Sequence, residues 1–232
     1  PSIRGNAWIR DENGNKVVGD DPASPDYGRW LYSRGDAQVL GKVDPDWQMG
    51  VRNSIKYKNF SLSAFLDMRF GGVVKSGSEN YLLGYGMSAL TEDRPEDNLI
   101  VFDGVKGHMN TDGSYTITNQ PNDIETYYDQ AYINSYGWGA TEMVTLKNDF
   151  IKLRDVTLSY SLPKGFLENK LGGVVSKADI ALSGKNLWHW FDPGFTGPDP
   201  EVNQFGNNNY YGWYTWSYPT SRTISVSLNV TF

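Results

Sequence analysis

Nine aromatic side chains fall within residues 189–217: Trp190, Phe191, Phe195, Phe205, Tyr210, Tyr211, Trp213, Tyr214 and Trp216. The stretch holds no Lys or Arg. Aromatic faces stack on the C–H faces of sugars, and amides and carboxylates hydrogen-bond hydroxyls. Asn207, Asn208, Asn209 and Asp199 supply such groups. The candidate contacts for a ligand or a partner are therefore Trp190, Asp199, Asn208, Tyr210, Tyr211, Trp213, Tyr214 and Trp216. The rings have a second use, since a loop of this length needs a small core of its own. Segment 71–148 carries 11 acidic and 4 basic residues, including the run Glu92-Asp93-Arg94-Pro95-Glu96-Asp97. Carboxylates bind hard cations, but this run lacks the spaced Asp/Asn-Gly pattern of a dedicated loop, so a solvated acidic surface is expected and no metal is assigned. Asp11–Asn15 reads as a turn at Asn13-Gly14. There is no Cys, only two His, and no paired carboxylates, nucleophile elbow or phosphate loop. Neither a catalytic group nor a cofactor is assigned.

These groups must be carried by strands. The chain has 232 residues and a net charge of −6, which argues against nucleic acid as a partner. No apolar run is long enough for a transmembrane helix. Aromatics at 14%, with 25 Gly and 11 Pro, point to an all-β protein with long loops. Trp47, Met49, Val51, Asn53, Ile55 and Tyr57 alternate with polar residues and Gly50, as do Phe60, Leu62, Ala64, Leu66, Met68 and Phe70 with a mostly polar set. The parity flips across Lys58-Asn59. A two-residue hairpin turn requires that flip, and it predicts Tyr57 opposite Phe60, Ile55 opposite Leu62, Val51 opposite Leu66 and Trp47 opposite Phe70. Asn59 tolerates the positive φ of such a turn, whereas Lys58 is not the preferred partner. Strands are also expected at 149–162, 177–188 and 218–232. In 150–154 the alternation fails, which predicts a bulge or a change of environment.

Short turns then alternate with the long loops 71–148 and 189–217, the habit of outer-membrane barrels. Large aromatics recur at ten-residue spacing on one face, Trp47 with Tyr57 and Phe60 with Phe70. Ten tilted residues span roughly 25 Å, the height of a barrel's apolar band. Trp47, Phe70 and Trp188 would mark the long-loop rim of a membrane girdle, and Tyr57, Phe60, Tyr160 and Phe232 the short-turn rim. The alternative is a soluble or surface β-sandwich that binds carbohydrate through aromatic loops. Five strands do not close a barrel, since the smallest use about eight. Together with Pro1 in place of an initiating Met, this leads us to expect part of a larger product. Residues 1–46 are read as an extracellular loop region leading into the barrel. Residues 47–232 are read as its last five or so strands.

Several motifs carry a family resemblance. Asn148–Pro163 (NDFIKLRDVTLSYSLP), Ser183–Trp188 (SGKNLW), Asp199-Pro200-Glu201 and the arginine-led strand Arg222–Phe232 resemble stretches of SusC/RagA-type TonB-dependent transporters. Asp44–Trp47 and Tyr57–Phe60 fit as well, so the resemblance runs from about 44 to 232 in the family's order. It implies the C-terminal antiparallel strands of a large transmembrane β-barrel in the cell outer membrane, with a plug and long extracellular loops. It further implies import of oligosaccharides or peptides, a SusD-like lipoprotein partner, and the TonB complex acting through an N-terminal part. Val226, Leu228, Val230 and Phe232 resemble the signal read by the barrel assembly machinery, for which an alternating strand with a free edge is a suitable template. The apolar face would meet outer-membrane lipid.

Overall fold

The computed structural model describes residues 1–129, 139–201 and 211–232. In chain order the strands are β1 (Ser2–Gly5), β2 (Val17–Gly19), β3 (Gln38–Lys42), β4 (Trp47–Tyr57), β5 (Phe60–Phe70) and β6 (Val73–Ser76). Helix α1 (Gly77–Gly84) leads to β7 (Leu99–Val101), β8 (Val105–Met109), β9 (Tyr115–Pro121) and β10 (Glu125–Tyr127). β11 (Thr145–Lys147) and β12 (Phe150–Ser161) precede helix α2 (Lys164–Leu171). β13 (Lys177–Phe191), β14 (Trp213–Tyr214) and β15 (Thr223–Thr231) follow. The chain divides into two units, one of 1–44, 72–147 and 202–217, the other of 45–71, 148–201 and 218–232.

The second unit is one antiparallel sheet, ordered β15-β13-β12-β5-β4. Its hairpin has the register that the parity demands: Tyr57 faces Phe60, Ile55 faces Leu62, Val51 faces Leu66 and Trp47 faces Phe70. Within the turn, the positive φ falls on Lys58 (53°) rather than on Asn59. The left-handed conformation costs a β-carbon-bearing residue about 1–2 kcal/mol. Long strands on both sides hold it there. The broken alternation at 150–154 is a bulge between Leu153 and Asp155, felt against both β5 and β13. Asn186, at φ 52°, absorbs the irregularity in β13. Across the bulge the parity switches, so Lys152 and Asp155 lie on one face and Leu153 and Val156 on the other. Pro163 and Gly172 flank α2, and the φ of 61° at Gly172 suits the C-terminal cap. Gly71 closes β5 at φ 82°. A β-carbon there would meet the Asp46 backbone nitrogen at 2.7 Å, and the Gly71 N–H donates to Asp149 Oδ1 at 2.6 Å.

The first unit gives structure to segments read as loops. β2 and β8 pair in parallel, and β9 joins β8 on its other side. Trp8, Val18, Phe102 and Ala140 form one buried cluster, ringed by Trp30, Tyr32, Ile100 and Met143. Val17, Leu31 and Val105 form another. Arg10 and Glu142, 132 residues apart, make a two-pronged ion pair over this region. A second small sheet, ordered β11-β6-β14, places the segment 213–214 beside β6.

Candidate functional site

The five-stranded sheet has two chemically opposite faces. One presents Met49, Val51 and Ile55 from β4, Leu62 and Leu66 from β5, Val156 and Leu158 from β12, Ile180 and Leu182 from β13, and Ile224, Val226 and Leu228 from β15. These side chains are exposed or half-buried, Ile55 at 62% and Val226 at 72%. The other face presents Arg52, Lys56, Asp67, Arg69, Asp155, Asp179 and Lys185. Contiguous apolar patches beyond roughly 300–600 Å² are uncommon on soluble monomers and mark a surface that meets something apolar.

Aromatic rings close this apolar face at both ends. Trp47 stacks on Phe70 with centroids 4.8 Å apart, and Phe70 on Trp190 at 6.1 Å. At the other end Phe60 packs against Tyr160 at 4.7 Å, with Tyr57 directly across from Phe60. Trp188 lies opposite Leu153 and is 51% exposed. β13 runs to Phe191, three residues past its expected end. This puts Trp190, expected to contact ligand, within the strand and opposite Ile151 in the row of Met68. Phe232 is exposed at the end of the edge strand that holds Val226, Leu228 and Val230.

On the polar face a buried ion cluster ties the loop after β13 to the sheet. Lys152 is 3% exposed and Asp199 2%. Lys152 Nζ donates to Asp199 Oδ1 at 2.5 Å and to Glu201 Oε2 at 2.5 Å. Arg154 donates to Asp67 Oδ2 through Nε at 3.0 Å and Nη2 at 2.8 Å, and also to Glu201. The Thr220 hydroxyl donates to the second Asp199 oxygen, and the Glu201 N–H to Oδ1 at 2.9 Å. Burial pushes the Asp199 carboxyl up, but the bonds from Lys152, Thr220 and the Glu201 N–H outweigh it and hold it below the ordinary carboxylate value. The Lys152 ammonium also lies 4.9 Å from the Phe150 ring centroid and 5.4 Å from that of Phe191. Asp199 was expected to meet ligand or lid; its oxygens are taken up inside this cluster. The Lys152 and Arg154 contacts escaped sequence reasoning, although both residues sit in the quoted motif. Beside the cluster lies a cavity of about 180 Å³ lined by His189, Phe191, Pro198 and Arg222 among others.

The first unit has a larger cleft, of about 370 Å³, lined by Lys75, Asn80, Tyr81, Thr141, Trp213 and Thr215 among others. Its wall is the strap 211–217. The Lys75 N–H donates to the Gly212 carbonyl at 2.8 Å, and the Trp216 N–H to Ser78 Oγ at 2.6 Å. The Tyr214 side chain is wholly buried, so it anchors the strap and has no surface to offer a ligand or lid. Burial pushes its phenol pKa up. Trp216 remains 60% exposed and packs against Tyr81 at 5.6 Å. Of the other expected contacts, Tyr211 belongs to this strap, and Asn208 and Tyr210 lie outside the described residues. Asp11 Oδ1 accepts the N–H groups of Asn13 and Asn15, as in a side-chain-supported turn. Among the described residues no group of three or more His, Cys, Asp or Glu could hold a metal ion.

No family model matches the chain. TonB-dependent receptor P26 of Formosa agariphila is 29% identical over 243 residues, covering the whole of this chain and 20% of the receptor. TonB-dependent receptor P3 of the same organism is 28% identical over 214 residues, 88% of this chain and 18% of the receptor. The chain thus spans about a fifth of the length of the relatives it matches. Among solved structures, a chain of the RagAB peptide importer in its open-open state aligns over all of this chain and 22% of its own length, with a TM-score of 0.60 at 14% identity. A further structure of the RagAB peptide transporter aligns with a TM-score of 0.56 at 15% identity, over 98% of this chain and 22% of its own. At such identities the likeness is one of fold. Over nearly its whole length the chain is similar to a part of SusC/RagA-type TonB-dependent receptors, the family that its motifs resemble.

Proposed function

We propose that this chain forms part of the wall and the outer loops of an outer-membrane, TonB-dependent importer of oligosaccharides or peptides. The observation that carries the reading is the two-faced sheet. An exposed apolar face edged by aromatics suits lipid, and a charged face suits a water-filled or plugged lumen. The edge strands β4 and β15 would pair with further strands of a closed barrel. In this reading Trp47, Tyr57, Phe60, Phe70, Tyr160 and Trp188 form the girdle, joined by Trp190, and Val226, Leu228, Val230 and Phe232 present the assembly signal. In the same reading Trp213 and Trp216 would meet ligand or a SusD-like lipoprotein. That the curated relatives are receptors, and the structural neighbour an importer of peptides, supports transport over catalysis.

The test is uptake by cells expressing the full-length protein that contains this chain. The protein should fractionate with the outer membrane and need detergent for extraction. Uptake of labelled oligosaccharide or peptide should fall to background on deletion of its gene or of TonB. A protein soluble in buffer, or uptake indifferent to both deletions, contradicts the reading and favours a carbohydrate-binding β-sandwich.

A further inference from the structure

Lys75 is a cation set in an aromatic cleft. It lies in β6, between β11 and β14, and its ammonium sits 5.1 Å from the Trp213 ring centroid. Among the described residues no carboxylate forms an ion pair with it. Burial alone pushes its pKa below the ordinary lysine value. A half-buried ammonium that has lost water and, among the described residues, gained a ring face and no carboxylate is under-compensated, and an anionic group entering the cleft would supply a charge-assisted bond. The surrounding segment 71–148 is strongly acidic, so diffuse attraction of anions does not account for a cation held here.

The rest of the lining narrows the ligand. Trp213 and Tyr81 offer aromatic surface, and Asn80, Thr141 and Thr215 offer amide and hydroxyl groups. Such a mixture suits a ring with an apolar C–H face and several hydroxyls. A peptide backbone would seek a free strand edge, but both edges of β6 are taken, by β11 and by β14. Gly77 makes room for the arrangement. A β-carbon there would meet Trp213 Nε1 at 2.8 Å and collide with the Thr215 hydroxyl.

We propose that this cleft binds an acidic saccharide unit, its carboxylate on Lys75 and its ring face against Trp213. The inference rests on the importer reading and deepens it, from oligosaccharide or peptide to a carboxylate-bearing sugar.

The test uses the full-length protein in detergent, titrated with trigalacturonate and with its methyl ester, which keeps the rings and removes the charge. Tryptophan fluorescence and calorimetry report binding. The acid should bind about tenfold or more tighter than the ester, the scale of one charge-assisted contact. Lys75→Met should erase that preference, Lys75→Arg should keep it, and Trp213→Ala should weaken both ligands alike. Unchanged heat-dependent gel mobility checks that each variant is folded. Equal affinity for acid and ester, a preference that survives Lys75→Met, or no binding of trigalacturonate overturns the proposal. Failure of the importer reading shows separately, as uptake indifferent to gene deletion.

Discussion

Lys152 Nζ lies 2.5 Å from Asp199 Oδ1, 47 residues away in sequence, with both side chains almost wholly buried. The contact joins two of the motifs that carry the family resemblance, the FIKLRD run of β12 and the Asp-Pro-Glu of the loop after β13. Arg154 and Glu201 repeat the pairing two residues along each motif. The two motifs therefore act as a single clamp that fastens the loop to the polar face of the sheet.

Removing Asp199 takes one of two carboxylates from the buried Lys152 ammonium and leaves it to Glu201. Asp199→Asn should destabilise the loop anchor by about 3–5 kcal/mol, the usual cost of breaking such a pair. Limited proteolysis of the full-length protein should show new cleavage within 192–201. The double variant Lys152→Met, Asp199→Leu should lose less than the sum of its single variants, because it strands no charge.

The same carboxylate sets a pH response. Its pKa in the folded protein is lowered below 3.8, so its stabilisation is present above that value and is lost as the pH falls through the folded pKa. Protease access to 192–201 should be flat from neutral pH down to about 4, given the ordinary Asp pKa, and rise only below it. A rise centred near pH 6 would point to a different group.

A charge on either face of β13 should have opposite consequences. Leu182→Arg lies mid-strand on the apolar face and should cost about 2–4 kcal/mol if that face meets hydrocarbon. It should also reduce the amount of protein assembled in the outer membrane. Ser183→Arg, one residue on and opposite Thr157, points to the polar face and should assemble near the normal level.

The turn offers a gain. Lys58 holds φ at 53°, where glycine is at ease. Lys58→Gly should raise the unfolding midpoint, corresponding to about 1 kcal/mol. No change, or a loss, would mean that the Lys58 ammonium, 5.3 Å from the Tyr57 ring centroid, contributes more than the backbone strain costs.

The sheet was legible because its signals are local and periodic. Alternation with a parity flip fixes a hairpin register, and a break in alternation at 150–154 marks a bulge. What escaped was non-local. The first unit is built from strands of two to seven residues, too short for a period to show, and joined across long separations, as when Val17 pairs with Val105. The clamp escaped for a related reason. Nothing in the spacing of Lys152 and Asp199 says that a loop folds back onto the strand. Trp190 was misplaced because β13 continues past Trp188 despite the irregularity at Asn186.

The central claim is that the apolar face of the five-stranded sheet meets lipid. The most direct measurement uses single cysteines, placed in a cysteine-free background at Val51, Leu182 and Ser183 and labelled with an environment-sensitive dye. The full-length protein is reconstituted into vesicles with and without lipids brominated along their acyl chains. The account predicts blue-shifted, bromine-quenched emission from positions 51 and 182, and unquenched emission from 183. Equal behaviour at 182 and 183, or no quenching at 51 and 182, would contradict it.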